Sequence, residues 1–361
     1  MTQIYNFSAG PSTLPKSVLE RAQKEFVNYK TSGVPLIEMS HRSELFEEIV
    51  ERVEKKLRQL IGINDDYHIL FLHGGASSQF AMVPMNLMYT HKADYIVTGH
   101  WANKANEVAR SYGDVSLIWN GELDNYRRLP ILDEIRFSKE ADYIHFCSNN
   151  TIYGTQFNYV PSYGDRPVIC DHSSDILSRP MDIEAFDLIY ASSQKNIGPA
   201  GVTLVIIKKE LLKQPAYDKT PEIMSYKVHA GSKKLYNTPT SYTIYIMDLV
   251  LDWLIDLGGL EEIEKINREK AKLLYDFIDQ SQFYNGFADV KDRSLMNVVF
   301  TTGNAKLDLA FAREAEKDGL MALKGHKKLG MLRASIYNAM PIDGVKSLIR
   351  FMESFEKRYS D

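Results

Sequence analysis

The segment Ser192-Ser193-Gln194-Lys195-Asn196-Ile197-Gly198-Pro199-Ala200-Gly201 sets a lysine among small residues, between the apolar runs Leu188 to Ala191 and Val202 to Ile207. An ordinary surface lysine needs no such setting. In open α/β sheets ligands gather beyond the carboxyl ends of the strands, so the residues that follow each strand-like run are the ones to inspect. Those positions hold His73-Gly74-Gly75-Ala76-Ser77-Ser78, Gly99-His100-Trp101, Ser148-Asn149-Asn150-Thr151, Asp171, and Ser192 to Lys195.

The first of these groups offers backbone N–H groups and hydroxyls at the start of a helix, which suits a phosphate. A lysine amine condenses with an aldehyde to a Schiff base, a carboxylate keeps a pyridine nitrogen protonated, and an indole ring gives a flat face to lie against. Together these are the requirements of pyridoxal phosphate. An unpaired lysine has a pKa of about 10.4, so Lys195 must be held in a covalent link or depressed by its surroundings to act as nucleophile or base. No Gly-x-Gly-x-x-Gly follows a strand and no Gly-x-x-x-x-Gly-Lys-Ser/Thr occurs, which sets aside dinucleotide and P-loop readings.

The elements that must position these residues read as parallel βαβ units. Strand-like runs fall at His68 to Leu72, Tyr95 to Thr98, Val115 to Trp119, Tyr143 to Cys147, Val168 to Cys170, Leu188 to Ala191 and Val202 to Ile207. Most are continuous rather than alternating, as expected of strands covered on both faces. The last two are joined by a loop too short for a crossover helix, so Val202 to Ile207 should run antiparallel. A helix is expected over Glu44 to Ile61, with Ser43 as its cap and Gly62 at its end. After Gly258-Gly259 the texture changes to a charged helix (Leu260 to Gln280), a strand near Asn297 to Thr301, a helix over Leu307 to Lys317, a strand near Arg333 to Tyr337 and a last helix over Gly344 to Tyr359. The expected architecture is a large unit of residues 16–255 built on a mostly parallel seven-stranded sheet, with a smaller α+β unit of residues 256–361 joined by the N-terminal segment 1–15.

Bulk properties narrow the partners. Lysines and arginines number 43 against 47 acidic residues, a net charge of −4, so nucleic acid and anionic membrane are poor candidates. The first residues have neither a basic nor an apolar leader segment and no run spans a bilayer, so a cytoplasmic location is expected. The two cysteines, Cys147 and Cys170, end strand-like runs and are expected as buried free thiols. No histidine or cysteine spacing suits a metal, and none is expected.

On these residues the chain resembles the class V, fold-type I aminotransferases. The resemblance runs almost end to end, through Asn6-Phe7-Ser8-Ala9-Gly10-Pro11, Ser40-His41-Arg42, His73-Gly74-Gly75, Gly99-His100-Trp101, Ser192 to Gly201 and Arg333-Ala334-Ser335-Ile336-Tyr337-Asn338-Ala339. It implies Lys195 as the covalent anchor of pyridoxal phosphate, Asp171 as the pyridinium partner, Trp101 as the ring stacker, and Ala76, Ser77, Thr151 and Gln194 as further cofactor contacts. Asn237 and Thr238 match a pair that reaches across a homodimer to the neighbour's cofactor phosphate. Arg333 matches the arginine that grips an α-carboxylate, a task suited to a forked guanidinium. His41, Arg42 and His326 match groups around a distal phosphate or side-chain carboxylate. The implied activity moves an amino group between L-glutamate and 3-phosphohydroxypyruvate, giving O-phospho-L-serine and 2-oxoglutarate for serine biosynthesis, with 4-phosphohydroxythreonine as a further substrate in some members. Three departures stand out: Ser77 and Lys327 occupy positions where arginine occurs in relatives, and Met331 stands where glycine is common.

Overall fold

All seven expected sheet strands form in the computed structural model, which describes residues 3–214, 219–232 and 235–360. After a two-residue strand, β1 (Tyr5–Asn6), come β2 (Tyr67–Leu72), β3 (Lys92–Val97), β4 (Asp114–Asn120), β5 (Ile144–Cys147), β6 (Val168–Asp171), β7 (Leu188–Ser192) and β8 (Thr203–Lys208). The sheet order is β2-β8-β7-β6-β5-β3-β4. β8 is antiparallel to both of its neighbours and the remaining pairs are parallel, so the short-loop argument for Val202 to Ile207 holds.

The continuous apolar runs are explained by burial on both faces. Ile189 and Ala191 pack into one apolar layer with Ile144, Phe146, Val168, Leu204 and Ile206, whereas Leu188 and Tyr190 pack into the opposite one with Tyr95, Ile169, Val205 and Ile207. Helices cover both layers. Before the sheet come α1 (Lys16–Glu25) and α2 (Glu44–Ile61); α3 (Gly75–Leu87) and α4 (His100–Ala109) follow β2 and β3. The ends of α2 are as expected, with Ser43 accepting from the Phe46 N–H and Gly62 at φ +77°. Two helices that the apolar periodicity had not delimited follow β8, namely α5 (Tyr226–Gly231) and α6 (Ser241–Asp256). Ten residues of α6 are buried, so it carries no polar face by which its limits could be read.

The C-terminal part contains α7 (Gly259–Gln280), β9 (Asn285–Gly286), β10 (Asn297–Thr301), α8 (Ala305–Lys317), β11 (Leu320–Met321), β12 (Leu332–Ser335) and α9 (Ile342–Tyr359). β12, β10 and β9 form a three-stranded antiparallel sheet, and β1 pairs in parallel with β11. β12 ends before Ile336, two residues short of the expected Tyr337, and α9 begins two residues before Gly344. Most apolar residues of the C-terminal part form a separate cluster that includes Phe300, Phe311, Ile336, Phe351 and Phe355, with Phe7 from the N-terminal segment, while Leu260 and Ile263 at the start of α7 pack into the larger core.

Candidate active site

The carboxyl ends of β2, β3, β5, β6 and β7 open on one cleft of about 470 Å³. Each predicted residue there reaches it by a local device. At the end of β2 the chain turns into α3 through Gly74, held at φ +91° with Ser78 only 2.6 Å from where a Cβ would lie, so any other residue would meet both backbone strain and a clash. The first turn of α3 then presents Gly75, Ala76 and Ser77 to the cleft with N–H groups that have no intrahelical acceptor; the Ala76 N–H donates to Ser192 Oγ at 2.6 Å. This is a cradle for an anion.

After β3, α4 begins at His100 and carries Trp101 in its first turn, where the indole Nε1 donates to Thr151 Oγ1 at 3.2 Å. The ring is partly exposed towards the cleft, 37% accessible, and therefore has a face left for a ligand. Asp171 is the last residue of β6 and is buried; its Oδ1 accepts the Ser173 N–H at 2.9 Å. The turn after it is anchored by Asp175, whose carboxylate accepts from Ser148 Oγ and from Gln156 Nε2 at 3.0 Å and lies 3.1 Å from His172 Nδ1. Burial would raise the Asp175 carboxyl, but His172, Arg179 and Ser148 hold it down to about 2.

Lys195 lies in the loop from β7 to β8. Ser193 N donates to Val202 O at 3.0 Å, Ser12 N donates to Gln194 O at 2.9 Å, and Ser12 Oγ donates to the Lys195 carbonyl, so the lysine backbone is tied on both sides. Burial pushes the Lys195 amine below its ordinary value, against the opposing pull of Asp171, and burial pushes Asp171 above its own, against Lys195 and the Ser173 N–H. Desolvation thus favours the uncharged form of each, as a nucleophilic amine requires.

Arg333 enters the cleft from β12. Its Nη1 donates to Thr151 O at 2.9 Å, while Nε is buried with no partner among the described residues. A guanidinium left with an unpartnered buried donor in a cleft is set for a carboxylate. His326 lines the same cleft, with its ring 6.0 Å from that of His100, and burial together with Arg333, Lys327 and Lys328 lowers its pKa.

Nine predicted residues therefore converge: Ala76, Ser77, Trp101, Thr151, Asp171, Gln194, Lys195, His326 and Arg333 all line the cleft. Four do not. His41 lines a separate cavity of about 440 Å³ with His68, His229 and Tyr236. Arg42 and Thr238 are exposed, and half-buried Asn237 has its Nδ2 3.5 Å from His73 Nδ1. The sequence reading assigned no role to Ala9, Gly10, Ser173 and Ser174, which also line the cleft. The serines were within reach of the strand-end rule, since they stand two and three residues after Asp171; Ala9 and Gly10 belong to a quoted motif to which no contact had been given. Of the three departures, Met331 proves neutral for the backbone, because Gly330 takes the positive φ of that turn, +74°. Both cysteines are buried and free, and burial pushes the Cys147 thiol at the cleft wall well above its ordinary value.

An amine, a carboxylate, an indole face and a helix N-terminus around one cavity fit pyridoxal phosphate, and the lone Nε of Arg333 fits a substrate carboxylate beside it. The whole arrangement is that of a fold-type I transaminase, and the chain belongs to the class-V aminotransferase family, whose model matches residues 4–348. Within that class, relatives at 46–50% identity over nearly the whole chain are phosphoserine aminotransferases. That of Nitrosomonas europaea is 49% identical, with all of both chains covered. The solved phosphoserine aminotransferase of Bacillus circulans subsp. alkalophilus is 45% identical over 99% of each chain, with a TM-score of 0.96. That of Trichomonas vaginalis, solved with PLP bound, is 34% identical, covers 97% of this chain and all of its own, and has a TM-score of 0.93.

Proposed function

We propose that the protein is a phosphoserine aminotransferase, transferring the amino group between L-glutamate and 3-phosphohydroxypyruvate. The observation that carries this reading is the convergence of Lys195, Asp171, Trp101 and the unpartnered Arg333 Nε on one cleft, in a chain 49% identical over its full length to a relative of that name.

Bound pyridoxal phosphate supplies the aldehyde that takes up the amino group and the ring that accepts the electron pair left at the substrate α-carbon. Lys195 would hold it covalently and, with its amine free, would carry the proton from the substrate α-carbon. Burial, which lowers its pKa, favours the uncharged amine that this proton transfer needs. Asp171 sits where it can hold a protonated pyridine nitrogen, whose charge would in turn keep the buried carboxylate ionised. Arg333 grips the α-carboxylate and so sets the α-carbon relative to Lys195. The N-terminus of α3, with Ala76 and Ser77, receives the cofactor phosphate, and Thr151 and Gln194 complete its surroundings.

The reading extends to a homodimer with shared active sites. Asn237 and Thr238 lie outside the cleft of their own chain, which supports their reaching the neighbour's cofactor phosphate, and His41 and Arg42 join His326 at the distal phosphate or side-chain carboxylate of substrate. Separate apolar clusters support a division into a large unit of residues 16–255 and a smaller one of residues 256–361 with residues 1–15. Among the described residues no helix is long and apolar enough to cross a membrane, and a cytoplasmic place suits the proposed substrates. The test is 2-oxoglutarate-dependent turnover of O-phosphoserine by purified protein; turnover of alanine with glyoxylate in its place refutes the substrate assignment.

A further inference from the structure

Three consecutive carbonyls, those of Ile176, Leu177 and Ser178, accept hydrogen bonds from three asparagine side chains drawn from distant parts of the chain. Asn196 Nδ2 donates to Ile176 O at 3.0 Å, Asn338 Nδ2 to Leu177 O at 2.8 Å and Asn267 Nδ2 to Ser178 O at 3.0 Å. The amides are also bonded to one another. Asn267 Nδ2 donates to Asn338 Oδ1 at 2.8 Å, and the Asn338 backbone N–H donates to Asn196 Oδ1 at 3.1 Å. All three side chains are buried, so each bond forms away from competing water.

The ladder holds a backbone that would not stay there unaided. Leu177, at its middle, is buried at φ +57°, a left-handed conformation that a branched residue keeps only where its surroundings over-determine it. From the same face of α7 as Asn267, the Lys270 amine donates to the carbonyls of Ile336, Tyr337 and Asn338 at 3.1, 2.7 and 3.3 Å, holding the segment that follows β12.

Two of the three rungs lie close in the chain to groups of the proposed chemistry, and the third, Asn267 on Ser178, braces them. Asn196 is bonded in sequence to Lys195, Ile176 lies in the turn that follows Asp171 at the end of β6, and Asn338 lies three residues beyond the end of β12, which carries Arg333. We propose that this amide ladder is a positioning device that keeps Lys195, Asp171 and Arg333 in mutual register, with Asn196 the positioning residue at its reactive end. A substrate held by its carboxylate on Arg333 then presents its α-carbon to the Lys195 amine at a distance set by the ladder. The inference rests on the proposed function, and it concerns a part of the chain that touches neither cofactor nor substrate.

The test compares the parent with Asn196→Ala, Asn267→Ala and Asn267→Asp, each purified with cofactor, by single-turnover spectroscopy with glutamate, the rate being expressed per cofactor-loaded site. Since misplacement of about 1 Å can cost ~100-fold in rate, Asn196→Ala is expected to lose at least about tenfold at saturating glutamate, with the glutamate concentration for half-saturation changed less than about threefold. Asn267→Asp should be slower than Asn267→Ala, because a carboxylate would face two oxygen acceptors, Ser178 O and Asn338 Oδ1. Rates per loaded site within about twofold of the parent, whatever the fall in melting temperature, overturn the inference and leave the ladder a structural feature only. So does an Asn267→Asp variant no slower than Asn267→Ala, which also decides the matter if Asn196→Ala cannot be loaded. A parent that does not react with glutamate refutes the proposed function instead.

Discussion

Replacing Arg333 by lysine keeps the charge and removes the fork, and the structure allows the cost to be worked out. Nη1 is committed to the Thr151 carbonyl at 2.9 Å, and Nε is buried without a partner among the described residues. The side of the guanidinium formed by Nε and Nη2 is therefore the one left for a carboxylate. A charge-assisted hydrogen bond contributes about 1.5–3 kcal/mol. Lysine can make one such bond but not two side by side, so the loss should be about 2 kcal/mol, or ~30-fold at 1.4 kcal/mol per factor of ten. The assay is the second-order rate constant of each half-reaction, followed through the visible spectrum with glutamate and separately with O-phosphoserine. Because the two amino acids share the α-carboxylate, both constants should fall by a similar factor while the cofactor stays bound. A fall below about threefold, or one confined to a single substrate, would refute the assignment of Arg333 to the carboxylate.

Lys195→Ala should abolish both the visible band of the lysine-linked cofactor and turnover, and survival of either contradicts the covalent role. Arg42→Ala should lower kcat/KM for O-phosphoserine by about tenfold or more, the loss of one charge-assisted contact, with cofactor affinity changed less than twofold; unchanged phosphoserine kinetics remove Arg42 from the substrate site. Burial pushes the Lys270 amine from 10.5 down to about 7, against the three carbonyl acceptors that favour its charged form. The folded chain then releases a proton that the unfolded chain keeps between those two values, so stability should rise with pH across that window and be flat below it, with a slope of at most about 1.4 kcal/mol per pH unit. Denaturation of the parent and of Lys270→Met at pH 7.5 and 9 should thus diverge by up to about 2 kcal/mol in favour of the parent at the higher pH; parallel curves contradict it.

Much of the site was legible because strand ends obey local rules. Continuous apolar runs mark strands covered on both faces, the residues after them face the ligand edge, and a ten-residue loop with Gly-Pro-Ala-Gly forces β8 to return antiparallel. Lys195, Asp171, Trp101 and the glycine turn before α3 all follow from that reasoning. Helix α6 did not, since a helix buried on nearly every side shows no periodic contrast. The short pairing of β1 with β11 did not either, because two residues of strand carry no pattern of their own.

By itself the amino-acid order determined which residues stand at the carboxyl ends of strands, and so the chemistry available there, since secondary structure and side-chain direction follow from neighbours in the chain. Only the tertiary structure decided that Arg333 reaches Thr151 from 182 positions away, that Ala9 and Gly10 wall the cleft, and that three asparagines meet on Ile176, Leu177 and Ser178. Those contacts depend on how the smaller sheet docks against the larger one. Docking is set by shape and by the need to satisfy buried polar groups across the junction, neither of which has a period or a spacing that can be read along the chain.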